Sequence, residues 1–421
     1  MTRRRWGNGA GHRTSHRATH VGFFGILGSG NIGNDGSLES VTNYLAKRHP
    51  EARIGFFCMG PDRLARRYDA PAQSLQWYEA HANTATGVRA VLLKITGKLL
   101  DPLRTLAWVR DKDAVIVPGM GVLESTQPLR PWAMPYSLLA LGVASKLTGT
   151  KVALVSVGAN VISKPLTRWL VVQAARLADY RSYRDDASRD AMRQMGLDVG
   201  GDHVYPDLAF ALPVPEVPDA DDHAVGVGVM GYYGSNDDRA RADEIHRDYV
   251  ATMTGFVYWL LDQGRPVRIL SGDNADTDVV DEILAAARAH RPDLDQSRLV
   301  VEPLTSLHDL LRQLATVEAV VATRYHNVVC ALMLAKPTVS VGYATKIDIV
   351  MAESGLAAYC HSARQPDLDR LIAQFTDLER RAPELREAMT ERSAAARRGV
   401  ERQFAELSAE LFTNHSSAEG A

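Results

Sequence analysis

Cysteine is scarce in this chain: Cys58, Cys330 and Cys360 are the only three in 421 residues. They show neither metal-ligand spacing nor the even number of a disulfide framework, and Cys58 and Cys330 lie in apolar runs where buried thiols are common. A reduced, cytoplasmic setting is expected. Long apolar runs are missing as well, so no transmembrane helix is expected. Residues 1–20 carry five arginines but no apolar stretch of the secretory kind, and read as a disordered basic tail or a weak electrostatic hold on an anionic membrane. Excess charge is also absent. A net charge of −2 gives no electrostatic reason to expect nucleic acid as a partner. No His/Cys/carboxylate cluster has metal-ligand spacing, so no metal is expected. What remains is an ordinary globular composition, 46% hydrophobic and 23% charged, in a chain long enough for two domains.

Buried β-runs alternate with helical patterns. Strands are expected at 21–27, 53–58, 114–118, 151–157 and 179–184, with a helix at 186–195 after the last. Between 211 and 222 the sequence ALPVPEVPDADD reads as a linker. The pattern then restarts with strands at 224–230, 267–270, 299–302, 318–322 and 337–341, and helices at 243–263, 276–290 and 327–335. This predicts an α/β fold of two doubly wound, Rossmann-like domains, at 21–212 and 224–366, joined by a linker at 213–223. A charged helical tail broken near Pro383 follows at 367–411, and 412–421 read as disordered. In such folds ligands bind at the carboxyl ends of the strands, here in the cleft between the domains.

Several groups fall at those ends. The glycine-rich loop 28–36 (GSGNIGNDG) follows the first strand and opens a helix; it reads as a tight turn or as a substrate loop, with Asn31 and Asp35 available to sugar hydroxyls. It is a poor dinucleotide fingerprint, because no acid closes the second strand. Arg184 ends a strand and is either a surface ion-pair partner or an anion clamp. Asp207 either fixes its own loop or holds a substrate hydroxyl. Arg324 and His326, two apart at a strand end, project to one side and, with Tyr343 and Lys346, suit a small anion and a proton transfer. Helical spacing of apolar and basic residues over 86–110, with an apolar helix at 129–144, reads as core-facing amphipathic helices or as a surface meeting a lipid-linked partner.

Four blocks in order, GILGSGNIGNDGSL (25–38), SYRDDASRDAMRQMG (182–196), YPDLAF (205–210) and ATRYHNVVCALMLAKPTVSVGYATK (322–346), resemble the polysaccharide pyruvyl transferase family. There are two departures. Asn34 precedes Asp35 where the family has the acid directly after glycine, and PGMGVLE at 118–124 keeps only Gly119 and Gly121 of a glycine-rich block. The resemblance implies a glycosyltransferase-B-like architecture. It implies transfer of the enolpyruvyl group of phosphoenolpyruvate, as co-substrate, onto two hydroxyls of a saccharide or lipid-linked saccharide. It places Arg184, Arg324, Lys346 and Tyr343 on the donor, and Asn31, Asp35, Asp207, Gly119 and Gly121 on the acceptor. His326 is then the acid or the base, with Arg184 and Arg324 beside it. Two other readings compete. A nucleotide-sugar glycosyltransferase or epimerase would need an acid for ribose hydroxyls, with Glu302 the candidate. A saccharide-binding protein without chemistry would need none of the cations.

Overall fold

The computed structural model describes residues 19–81, 84, 86–124, 131–216 and 223–412. The basic tail up to residue 18, the linker residues 217–222 and the last nine residues lie outside them. Strands β1 (His20–Gly25), β2 (Arg53–Cys58), β3 (Ala72–Ser74), β4 (Ala114–Pro118), β5 (Lys151–Val157), β6 (Tyr180–Tyr183) and β7 (His203–Val204) form one sheet in the order β3-β2-β1-β4-β5-β6-β7. Every pairing in it is parallel. Helices α1 (Ile32–Arg48), α2 (Pro61–Tyr68), α3 (Trp77–His81), α4 (Gly87–Val109), α5 (Met134–Thr148), α6 (Pro165–Leu177) and α7 (Asp186–Gln194) connect the strands. The strands are apolar on both faces, as a covered parallel sheet requires. Phe23 stacks on Phe56 and Phe24 on Phe57, with ring centroids 5.7 and 5.8 Å apart, so adjacent strands lock through both faces.

The second sheet is parallel as well: β8 (Val225–Gly228), β9 (Val267–Leu270), β10 (Leu299–Val301), β11 (Ala319–Ala322), β12 (Thr338–Gly342) and β13 (Cys360–Ser362), ordered β10-β9-β8-β11-β12-β13. It carries α8 (Ala242–Asp262), α9 (Thr277–His290), α10 (Leu307–Ala315), α11 (Tyr325–Met333) and α12 (Thr345–Glu353). Strand order reverses between β1 and β4 in one sheet and between β8 and β11 in the other. Loops at these two points leave opposite faces of the sheet and open a crevice at the carboxyl edge. Both crevices face the interdomain cleft.

Two expectations are corrected. The helix after residue 367 is unbroken: α13 runs from Leu368 to Phe412 with Pro383 inside it. A proline costs an interior helix about 3 kcal/mol. Here the burial of Leu371, Phe375 and Leu378 before it and Met389, Val400 and Phe404 after it outweighs that cost. Nor is α13 a tail. It crosses to the first domain, where Gln403 donates to Ser182 Oγ at 2.7 Å and accepts from Ser156 Oγ at 3.0 Å, and Phe404 meets the Tyr44 ring at 4.9 Å. The core-facing reading of 86–110 holds for one side of α4 only: Trp108 and Val109 are buried, whereas Leu92, Ile95 and Leu99 point into solvent.

Candidate active site

The loop after β1 is shaped by backbone contact. Gly28 has φ +71°, and its carbonyl oxygen would lie 2.0 Å from any Cβ placed on Gly60. Asp35 accepts from the Gly28 amide at 2.7 Å and lies 3.5 Å from Arg63; burial raises its carboxyl above the usual range. Asp35 therefore holds the turn and is not presented to the cleft, because folding the loop back on α1 satisfies the amide that a ligand would otherwise take. Asn31 caps α1 by accepting from Asn34 N at 3.1 Å, and its amide donates to Asp273 Oδ2 at 3.3 Å across the cleft. Gly119, at φ +49°, leaves room for Ser37, whose Oγ would be 2.5 Å from a Cβ there.

Arg184 follows β6, and Asp185 caps α7 by accepting from Ser188 N at 2.6 Å. The surface ion-pair reading of Arg184 is corrected: the residue is 6% exposed. Its guanidinium pairs with Glu124 and lies 4.9 Å from the centroid of the Tyr325 ring. Lys346, in the first turn of α12, reaches the other Glu124 oxygen at 3.1 Å from the second domain. Its Nζ lies 5.5 Å from the Tyr325 centroid and 5.8 Å from that of Tyr343. One carboxylate thus bridges two cations of different domains over an aromatic floor. Gly121 lets Glu124 fold back, and a side chain at Gly158 would collide with both Glu124 and Arg184. Burial pushes the Lys346 ammonium down to about 8, so it stays charged at pH 7 but gives up its proton far more readily than an ordinary lysine.

Arg324 and His326 do not converge. Helix α11 begins at Tyr325, two residues earlier than its apolar pattern indicates, with Arg324 as N-cap. On a helix, positions two apart differ by about 200°, whereas on a strand they share a face. Arg324 turns into its own domain. Its Nε donates to Asp276 Oδ2 at 3.0 Å and its Nη2 donates to Oδ1 of the same carboxylate. Asp276 is fully buried and also accepts from the amides of Gly231, Gly272 and Asp273 at 3.0–3.1 Å. Arg324 is therefore not the free donor clamp of the expectation; two of its nitrogens hold the loops after β8 and β9. Its third, Nη1, is outside that pair.

His326 points the other way, at the first domain. A Cβ on Gly33 would lie 1.9 Å from its Nδ1, so the first turn of α1 packs directly on the imidazole. Its Nε2 is 4.0 Å from Asp207 Oδ1 and makes no hydrogen bond among the described residues. Burial pushes the imidazole down to about 4, with the cations Arg184, Lys346 and Arg324 acting in the same direction and Asp207 against it. The ring is thus neutral at pH 7. Asp207 caps its own short turn, its Oδ1 accepting from Ala209 N at 2.9 Å, while its Oδ2 is buried without a partner.

Arg184, Asp207, Tyr325, Lys346, Glu353 and Arg392 line a small interdomain recess. Burial and the carboxylates of Asp185 and Asp186 push Glu353 up to about 7. The arrangement can hold a small dianion between Arg184 and Lys346 and pass a proton to or from the half-buried imidazole and ammonium. Among the described residues no group of three or more His, Cys, Asp or Glu is placed to hold a metal ion. Sequence reasoning missed Glu124, Tyr325, Gly33 and Gly158. Glu124 and Tyr325 lay inside the quoted segments, but nothing in their spacing told that a carboxylate and a ring would sit between two cations.

The fold has many solved counterparts. A UDP-N-acetylglucosamine 2-epimerase of Listeria monocytogenes, itself described as putative, superposes with a TM-score of 0.59 at 12% identity, covering 94% of this chain and 97% of the other. The Neisseria meningitidis UDP-GlcNAc 2-epimerase gives 0.57 at 12% identity over 92% and 99%. MurG of Acinetobacter baumannii gives 0.51 at 13% identity over 92% and 98%. At these identities the likeness shows the fold alone, a two-domain glycosyltransferase-B architecture. Comparison with curated proteins gave no match. Residues 31–345 match the sequence model of one family, and that span is most of the chain and contains Arg184, Asp207, Arg324 and His326. The chain is a transferase that belongs to the polysaccharide pyruvyl transferase family.

Proposed function

We propose that the cleft moves the enolpyruvyl group of phosphoenolpyruvate onto two hydroxyls of a saccharide or lipid-linked saccharide, forms a cyclic pyruvate ketal and releases phosphate. The observation that carries this reading is the meeting of Arg184 and Lys346, from opposite domains, on the single carboxylate of Glu124 beside His326. Glu124 stands where the carboxylate or phosphate of the donor would lie, and donor binding displaces it. Tyr343 supports the Lys346 ammonium, and Arg324 Nη1 adds a third cationic contact at the edge.

The chemistry balances on these groups. The Lys346 ammonium gives a proton to the enol methylene carbon, which becomes a methyl, and the neighbouring carbon becomes electrophilic. The first hydroxyl adds there and its proton passes to His326 Nε2. The second hydroxyl displaces phosphate at the same carbon and its proton leaves with the phosphate. Exchange with solvent returns the proton from His326 to Lys346. The developing positive charge is stabilised by the donor's own carboxylate, held against Arg184. No resident cofactor enters this balance. Asn31, Asp207 Oδ2 and the backbone at Gly119 and Gly121 form the acceptor side. For the alternative nucleotide-sugar reading, the acid it needs, Glu302, lies at the sheet edge against Arg268 at 2.8 Å and Arg312 at 3.4 Å. We place the reaction in the cytoplasm at the inner face of a membrane.

The test is phosphate release from phosphoenolpyruvate over a panel of saccharides, with a thermal shift by phosphoenolpyruvate alone. Arg184→Ala is expected to abolish the shift and lower kcat/KM by about 10²–10³-fold. Neither shift nor phosphate in the wild type, or full turnover by the variant, overturns the reading.

A further inference from the structure

Helices α4, α5 and α6 form one layer on the first sheet, and the outer side of that layer is unusually apolar. Leu92, Ile95 and Leu99 of α4 are 60%, 54% and 71% exposed, and follow one another at the spacing of a single helix face. Trp132, Leu166 and Trp169, at or just before the starts of α5 and α6, are each about half exposed. Scattered exposed apolar residues are ordinary, but an apolar helix stripe and two tryptophans on the same helix layer mark an interaction surface.

Its position and charge identify the partner. The Tyr136 hydroxyl at the start of α5 donates to the Lys98 carbonyl at 2.8 Å, so the first half of α4 extends beyond the start of α5, by about 16 Å at helical rise. Each of these helices begins at the carboxyl edge of the sheet, the edge that also carries Arg184 and the Gly119 turn. The patch is therefore at the rim of the cleft. Within α4, α5 and α6 there are seven Lys and Arg and one acid; Lys98 and Arg104 pair with that acid and Lys146 with Asp179, which leaves Arg89, Lys94, Arg168 and Arg176. That acid, Asp101, is buried; it accepts from Trp77 N at 2.8 Å and lies 3.1 Å from Arg104. Arg89, Lys94 and Arg168 are exposed beside the apolar stripe, with long stems able to lie along a lipid surface while the charge meets headgroups.

We propose that this face docks on an anionic phospholipid bilayer, with the apolar stripe entering the interface and the basic residues meeting the headgroups. A folded protein surface would meet the stripe equally well, but would leave the one-signed charge around it unexplained; an anionic bilayer accounts for both. Docking there brings the cleft rim to the membrane plane, where a lipid-linked saccharide is presented. The inference does not depend on the donor or the reaction assigned to the cleft.

The experiment is co-sedimentation of the full chain with vesicles of phosphatidylcholine containing about 30% phosphatidylglycerol, against vesicles of phosphatidylcholine alone. The wild type is expected to bind the anionic vesicles at least about ten-fold more tightly, with weakening by salt and a blue shift of tryptophan emission. Leu92→Glu/Leu99→Glu is expected to lose binding while keeping its melting temperature and its turnover of any water-soluble acceptor, since both residues already face water. Should that variant not fold, Leu166→Ser/Trp169→Ser replaces it. Absence of wild-type binding, equal binding to both vesicle types, or equal binding by the folded variant overturns the proposal. A dimer in light scattering that the variant dissociates, without vesicle binding, assigns the face to a second copy instead. Loss of vesicle binding with retained phosphate release separates this inference from the reading of the cleft.

Discussion

Gly33 has no side chain, and the imidazole of His326 occupies the space one would take. Gly33→Ala is therefore expected to fold and to displace the ring, lowering kcat by about 10²-fold with little change in melting temperature; a kinetic and thermal comparison checks it. The two proton-carrying groups also set the pH dependence. His326, held near 4, is a competent base above that value, and a bound anion that offsets the neighbouring cations moves this limit upward. Lys346, held near 8, carries its proton below that value and loses it above. The profile of kcat/KM is thus expected to fall at low pH through His326 and to fall again above about 8 through Lys346. In Lys346→Arg the upper fall is expected to vanish, because the guanidinium stays charged, while kcat drops by about 10²-fold because it yields no proton. A retained upper limb in that variant would assign the pKa to another group.

Helix α11 shows how an element boundary decides chemistry. The apolar run 327–335 places the helix start after His326, but Arg324 caps it and Tyr325 is its first residue. That shift of two residues separates Arg324 and His326 to opposite sides, and it turns Tyr325 under Arg184 and Lys346. Residue type could show that both are basic; it could not show their direction, which follows from helical or extended backbone. Arg324 then belongs to the frame of the second domain together with Asp276. Asp276→Ala is expected to cost about 3–5 kcal/mol in denaturant unfolding, since it strands a half-buried guanidinium and three amides. Its effect on kcat is expected to follow that on folding, which distinguishes it from Arg184→Ala.

At the scale of the molecule, α13 ties the domains together. Gln403 is fully buried and joins Ser156 and Ser182 of the first sheet to a helix that leaves the second domain. Gln403→Ala is expected to lower stability by about 1–3 kcal/mol and to raise the protease sensitivity of α13 beyond Val400, measured by limited proteolysis. The tie matters for function because Arg184 and Glu124 come from one domain while Lys346 and His326 come from the other. Much was legible in the chain itself. Apolar runs such as 151–157 and 318–322, too short for helices and separated by helical periods, determined a parallel α/β fold twice over, because strands covered on both faces have few other solutions. Arg184, Lys346 and His326 stood out by type at strand ends. Only the tertiary structure decided what they face. Glu124 and Arg184 are 60 positions apart and meet through strand order within the first sheet, while Glu124 and Lys346 are 222 apart and meet through the packing of the two domains; no local pattern encodes either contact.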